Sequence, residues 1–521
     1  MTSAAPAPLS PPHAGGHPFR TACAVLLIVA QLLLPLRLQA QTLPGMGDGG
    51  QMTAAAERQL GNQIARELYR DPDYIDDPVL VEYVQDIWQR LLAAARVRGE
   101  LTTELDERFA WTIIMGRDSA VNAFALPGGY LGLNLGLIGV IGSRDELATV
   151  LGHEMSHITQ RHIARNMSKQ SKDTPLMIAA MVLGILAAAK GGANGAGQAM
   201  LMGGQAYFMQ NQLAYSRDME READRIGYGV MTQAGYAPQG AAAMFEKLQY
   251  ASRLNDNGSY PYLRSHPLTT ERIADMQGRF QMTAGSSTKL PLLMDQAMIS
   301  ARARVLTRPG ADVQHTWIEA ASGGEFNRSS PAQQAGTLYA AALTSADLHD
   351  YKAARAFAQR LATRTAGDPA AARLARLLSA EIELAARAAP AAGALLDPKA
   401  RDRPEMMLLA QVAIATRNPE PMLPVLRDWV AVHPRDAMGW NMLSGLYNAK
   451  DDPVAAIRAD AEANVAILDY AAARDRFRAA QDLVRKGGVP IDDYEASILD
   501  TRARAIDALL REQLRDEKQS R

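Results

Sequence analysis

Leu147-Ala148-Thr149-Val150-Leu151-Gly152-His153-Glu154-Met155-Ser156-His157 is the stretch on which the reading of this chain turns. It holds an H-E-x-x-H motif inside one helical run. Residues four apart lie on one helical face about one turn apart, so His153 and His157 can offer two imidazole nitrogens to one metal ion. Glu154 sits one step around from His153, within reach of a proton on a metal-bound water. Two imidazoles beside a carboxylate are the donor set of a zinc hydrolase. Ser143-Arg144-Asp145-Glu146 just upstream fits a capping box, with Ser143 as N-cap and Glu146 reaching back. Leu147, Val150, Leu151 and Ile158 then recur at helical spacing and give the helix a buried apolar face. Ordinary polar residues on an amphipathic helix are the competing account.

Catalytic zinc takes three protein ligands and leaves one position for water. Apart from Cys23 near the N-terminus the chain has no cysteine, so the third ligand is a His, Asp or Glu. The candidate segment runs from Tyr215 to Gly227, where Met219, Ala223, Ile226, Val230 and Met231 recur at helical spacing. Gly235 ends that helix, with Pro238 beyond it. Glu220 and Asp224 share a face with Ala223 and Gly227, whose small side chains allow close approach to the first helix. Glu220 then completes the ligand set, and Asp224 accepts a hydrogen bond from a ligand imidazole. A solvated, charged helix is the alternative for this segment alone.

Two further segments bear on the site. Asn122-Ala123-Phe124-Ala125-Leu126-Pro127-Gly128-Gly129-Tyr130 leads through a turn into a run that alternates strictly. Leu131, Leu133, Leu135 and Leu137 fall on one face, with Tyr130, Gly132, Asn134 and Gly136 on the other. This predicts a half-buried strand over 130–137. An extended peptide can add to its edge by main-chain hydrogen bonds, or it is simply a core strand. Ser265-His266-Pro267-Leu268-Thr269-Thr270-Glu271-Arg272 places a histidine in a loop before proline, where packing gives no reason for one. His266 can donate to the oxyanion of a tetrahedral intermediate, with Arg272 assisting or holding the loop, or it can swing onto the zinc as a fourth ligand and make the enzyme latent. Of the other histidines, His13 and His17 precede the mature chain, His162 falls off the ligand face, and His315, His349 and His433 lie far downstream.

These four segments, in this order over roughly residues 52 to 282, resemble metallopeptidase family 48 of the gluzincin group. The likeness lies in H-E-x-x-H, in Ser216-Arg217-Asp218-Met219-Glu220-Arg221-Glu222-Ala223-Asp224, in the N-A-F-A-x-P-G-G segment and in the H-P-x-x-x-x-R element. The resemblance implies a zinc endopeptidase with one Zn2+ per chain, held by His153, His157 and Glu220. Glu154 is then the general base, with Asp224, His266 and Arg272 supporting the reaction. Asn122, Ala123, Phe124, Gly128 and Gly129 would contact the substrate.

The chain has 521 residues, too many for one ordinary domain, and 48% hydrophobic content suffices for sizeable cores. A formal net charge of -1 argues against nucleic acid as the main partner. The apolar run Thr21–Leu34 comes after Arg20 and precedes Leu38-Gln39-Ala40-Gln41, which reads as a secretory signal over 1–40 cleaved after Ala40. The mature chain then carries no thiol, which fits an oxidising exported compartment. A second apolar stretch, Leu176–Ala189, is too short to span a bilayer. It reads as a buried or interfacial helix ahead of a glycine-rich loop over the cleft, so membrane contact is peripheral at most.

Beyond about Leu290 the chain is alanine-rich and helical in composition. Trp440, Leu443, Tyr447, Ala456 and Ala463 match the large-then-small pattern of a tetratricopeptide repeat, from which Asp460 departs. Met406, Leu409, Ala413, Leu426 and Trp429 form the preceding unit, closed by Pro434, and the two fall into register at about 34 residues. The pattern implies a helical solenoid, or else a non-repeating bundle. The expected fold is α+β and mostly helical: a zincin-type metalloprotease domain with a small sheet over 41–282, a linker over 283–295 and an all-α repeat domain over 296–521.

A gluzincin with an export signal and such a tail is similar to periplasmic family members that support outer-membrane β-barrel assembly in Gram-negative bacteria. That likeness implies unfolded or stalled outer-membrane proteins as clients and the assembly machinery as a partner of the repeats. A scaffold with a latent protease, or a processing enzyme for one substrate, are the alternatives.

Overall fold

Ser143 caps the helix that carries H-E-x-x-H: its hydroxyl accepts a hydrogen bond from the Glu146 N–H at 3.1 Å. The helix then runs Arg144–Thr159, buried along almost its whole length. The expected reciprocal bond is replaced. The Glu146 carboxylate accepts from the Gly142 N–H at 2.8 Å and pairs with Lys247, one residue further out than a capping box requires.

A computed structural model describes residues 52–170, 216–253, 259–284, 290–486 and 493–519. The N-terminal segment with Cys23 that reads as a secretory signal, the stretch 176–189 and the glycine-rich run after it lie outside the described residues; among the described residues no helix is long and apolar enough to cross a membrane. In the first part the elements are α1 (Ala54–Arg70), β1 (Tyr74–Ile75), α2 (Pro78–Val97), α3 (Thr103–Arg108), β2 (Thr112–Gly116), β3 (Ala123–Leu126), β4 (Tyr130–Asn134), α4 (Leu135–Val140), α5 (Arg144–Thr159), α6 (His162–Gln170), α7 (Arg217–Gln233), α8 (Gln239–Arg253), α9 (Tyr262–Ser265) and α10 (Thr270–Ala284). One small sheet has the order β1-β2-β4-β3, with β2 and β4 parallel and the outer pairs antiparallel.

The alternating run is shorter than predicted. It is strand only to Asn134, and Leu135–Val140 turns into helix α4. Moreover β4 is paired on both sides, so its edge is not free for a peptide; the strand edge nearest the H-E-x-x-H helix belongs to β3. The small residue at Gly132 serves the fold, since a Cβ there would lie 2.1 Å from the Phe124 ring. Gly128 and Gly129 have φ of 70° and 86° and seat the turn against α1 and residues 109–111, where a Cβ would meet backbone atoms.

Helices α5 and α7 touch backbone to backbone. A Cβ on Gly227 would stand 2.8 Å from Gly152 C and His153 N, so glycine at both positions lets the two helices close on one another. Ser216 caps α7 through the Met219 N–H, which fixes where the helix starts and hence where Glu220 points.

The remainder is all helical: α11 (Met294–Leu306), α12 (Ala311–Ala320), α13 (Pro331–Asp347), α14 (Tyr351–Thr365), α15 (Pro369–Ala385), α16 (Ala389–Ala394), α17 (Arg403–Ala415), α18 (Leu423–Val432), α19 (Ala437–Ala449), α20 (Pro453–Ala466), α21 (Tyr470–Arg485) and α22 (Asp493–Gln519). Asp368, Asp402 and Asp436 are N-caps at equal sequence spacing and set the start of successive helix pairs. Asp460 departs from the repeat pattern without cost, because it is only partly buried and pairs with Arg476 at 2.9 Å. One apolar core runs from α2 through α5 and α11 to α17, so these helices pack onto the sheet-bearing part. Arg302, Arg373 and Arg403 add ion pairs to Asp77, Glu82 and Asp76 at 2.7–2.8 Å.

Candidate metal centre

Helix α5 presents His153 and His157 on one face, as its spacing requires. Their Nε2 atoms stand 3.0 Å apart. Helix α7, held close by the glycine contact, brings Glu220 to the same point. Its carboxylate lies 3.5 Å from His153 Nε2 and 3.4 Å from His157 Nε2. The loop after α9 adds His266, whose Nδ1 is 3.0 Å from Glu220 Oε1 and 3.3 Å from His153 Nε2. All four side chains are buried.

The surrounding groups orient these donors. His153 Nδ1 donates to Asp224 Oδ1 at 2.9 Å, which turns Nε2 to the inner side. Arg272 grips Asp224 with two bonds of 2.6 and 2.8 Å, reaches Glu220 at 2.8 Å and donates to the Pro267 carbonyl at 2.9 Å. Its guanidinium is therefore occupied with holding both carboxylates and the His266 loop. Glu154 accepts from the Ala125 N–H at 2.9 Å with Oε2, which ties it to the β3 edge. Its Oε1 faces His266 Nε2 at 3.4 Å and has no hydrogen-bond partner.

Electrostatics separate the two carboxylates. Burial pushes the Glu154 carboxyl above its ordinary range, only partly offset by His266 and His153. Burial acts on Glu220 in the same sense, but His266, His153 and His157 outweigh it and hold that carboxyl well below the ordinary range. Burial drives His157 down. It acts downward on His153 too, where Asp224 and Glu220 prevail and hold the imidazole up at about 10. One carboxylate is thus set to remain anionic beside a cation, and the other to take up a proton.

His162 lies outside the donor cluster, as its position off the ligand face implies, but it packs directly behind one of the donors. Arg161 has φ of 52° and breaks the helix after Thr159, so the helical spacing of α5 does not extend to residue 162. His162 is fully buried, with Nδ1 2.9 Å from His157 Nδ1 and Nε2 3.0 Å from Glu222 Oε2. Sequence reasoning also passed over Tyr262, which stacks on His266 with ring centroids 4.6 Å apart. Of the segment expected to contact substrate, Ala123 and Phe124 lie in β3, beside Glu154 through Ala125. Asn122 is buried with its side-chain oxygen unpartnered. Gly128 and Gly129 lie in the turn packed on α1.

The donors fit zinc. Tetrahedral zinc with bonds of about 2.0–2.1 Å spaces its donors about 3.3–3.4 Å apart. Five pairwise separations among His153, His157, Glu220 and His266 fall between 3.0 and 3.5 Å. The Glu220 carboxylate supplies the anionic donor of the set, with Oε2 also paired to Arg272 at 2.8 Å. H-E-x-x-H on one helix and a glutamate from a second define a zinc metallopeptidase of the gluzincin class.

Residues 80–280 match the model of peptidase family M48, and this part of the chain belongs to that family. The chain is similar to the beta-barrel assembly-enhancing protease of Escherichia coli (strain K12), 29% identical over 472 residues, covering 88% of this chain and 91% of that protein. A Vibrio cholerae relative that provisionally carries the same name is 35% identical over 298 residues, and the chain spans 57% of its length. The mitochondrial metalloendopeptidase OMA1 of Saccharomyces cerevisiae is 30% identical over 229 residues, 62% of that protein.

Proposed function

We propose that the chain is a zinc endopeptidase of the periplasm that degrades misfolded or stalled outer-membrane β-barrel proteins and assists their assembly. The observation that carries the peptidase reading is the buried convergence of His153, His157 and Glu220 beside Glu154. The names of the bacterial relatives support β-barrel proteins as clients. We divide the chain at the boundaries read from its sequence, with residues 41–282 as the protease and 296–521 as repeats that engage the client or the assembly machinery.

Zinc held by His153, His157 and Glu220 supplies Lewis acidity to the scissile carbonyl and its attacking water. Glu154 takes the water proton at Oε1 and delivers it to the leaving amine. Its hydrogen bond from Ala125 fixes the carboxylate beside the β3 edge, along which an extended peptide near Asn122, Ala123 and Phe124 would lie. Asp224 holds His153 in the tautomer that leaves Nε2 free, and Arg272 positions Asp224 and Glu220. His266 sits where a fourth donor sits, which favours a latent resting site over one open to water. On leaving, the same imidazole can serve the oxyanion.

The test is cleavage-site profiling on unfolded and folded β-barrel proteins. Glu154→Gln is expected to keep zinc and lose cleavage by about 10²–10⁴-fold; undiminished cleavage refutes the mechanism. His266→Ala is expected to raise basal proteolysis, and unchanged proteolysis and zinc affinity argue against latency. A Glu154→Gln chain that still restores barrel assembly in cells favours a scaffold, and one discrete cut in one folded client favours a processing enzyme.

A further inference from the structure

His157 offers Nε2 to the donor cluster, so its Nδ1 must carry the proton of the neutral ring. That N–H faces His162 Nδ1 at 2.9 Å. His162 must therefore accept at Nδ1, which puts its own proton on Nε2. There it meets Glu222 Oε2 at 3.0 Å, and Arg165 Nη1 holds the same oxygen at 3.0 Å. Each proton has a single consistent position along this row. The zinc-facing lone pair of His157 is fixed by the acceptor on its far side.

We propose that His162 and Glu222 are positioning residues for zinc: they form a relay that locks His157 in the tautomer and ring orientation that bind the metal. The arrangement parallels the other ligand, where Asp224 backs His153 directly and Arg272 backs Asp224. On the His157 side an imidazole is inserted between ligand and carboxylate. Helix α7 thus supplies three acidic side chains to one centre: Glu220 to the metal, Asp224 to one histidine and Glu222, through His162, to the other. The break at Arg161 makes the relay geometrically available. Arg161 is held in its left-handed conformation by Glu57 at 2.9 Å and by the Met52 carbonyl, which starts α6 with His162 turned back under α5.

The inference rests on His157 being a zinc ligand, which His157→Ala tests separately by abolishing tight zinc binding. The experiment measures the zinc dissociation constant of the full chain by chelator competition, together with the visible spectrum of the cobalt-substituted protein. His162→Ala is expected to weaken zinc about 10–100-fold and to shift the cobalt bands. His162→Asn restores an acceptor where Nδ1 stood and is expected to recover much of the affinity. Should His162→Ala fail to fold, Glu222→Ala serves instead, because that carboxylate is partly exposed, and it is expected to weaken zinc several-fold. Wild-type zinc affinity in His162→Ala or, failing that, in Glu222→Ala overturns the proposal. Equal losses in His162→Ala and His162→Asn also overturn it, since they would mark simple packing.

Discussion

His153 carries the sharpest consequence at the scale of single residues. Between Asp224 and Glu220 its imidazole is held up at about 10 in the metal-free chain. The sign comes from linkage. A raised value stabilises the metal-free fold below the ordinary value of 6.5, and this support is lost as pH rises through 10. At neutral pH zinc therefore has to displace a proton from Nε2, so zinc affinity is expected to climb with pH across that window. Titration calorimetry at pH 7.5 in two buffers of different ionisation heat should report a proton released per zinc bound; identical heats would contradict it. Most of this centre could be read from residue types and spacing, because H-E-x-x-H fixes two donors on one helical face. His162 could not, because a helical projection assumes an unbroken helix, and the turn at Arg161 depends on Glu57 and Met52, about a hundred positions upstream.

Among elements, the decisive contact is between α5 and α7. Gly152 and Gly227 set the distance between these helices and hence the gap between Glu220 and the histidine pair. Gly227→Ala puts a methyl into the backbone of Gly152 and His153. It is expected to cost about 1–3 kcal/mol in denaturant unfolding and to weaken zinc as the helices part. Unaltered midpoint and zinc affinity would show that the helices can shift without disturbing the site. The small residues on α7 made this approach visible in the sequence. The strand over 130–137 was overextended for a physical reason. Leu135, Leu137 and Ile138 are fully buried in helix α4, as Leu131 and Leu133 are in β4. Where nearly every position is buried, alternation no longer distinguishes strand from helix.

For the molecule as a whole, the seam between the sheet-bearing part and the later helices is unusually charged. Arg302 is buried with two bonds to Asp77 and further bonds to Tyr339 and Glu381. Removing it strands a buried carboxylate, and Arg302→Ala is expected to lose about 3–5 kcal/mol in urea unfolding; a loss within 1 kcal/mol, roughly the scatter of a surface pair, would mean solvent reaches the seam. The spacing of about 34 residues read from Met406, Leu409 and Ala413 against Trp440, Leu443 and Tyr447 also separates the caps Asp368, Asp402 and Asp436, each at the start of a helix pair. The docking of those helices was not legible, because Arg302 with Asp77, Arg373 with Glu82 and Arg403 with Asp76 join residues hundreds of positions apart, and periodicity carries no trace of such pairs.

Helix α2 stands at the crossing of these layers. Its first turns take the arginine pairs from the later helices, and its flanks rest on α5, α7 and α17. Strain on those later helices therefore has a short route to the rear wall of the H-E-x-x-H helix, sideways through one rod. The polypeptide joining the two regions need not transmit anything.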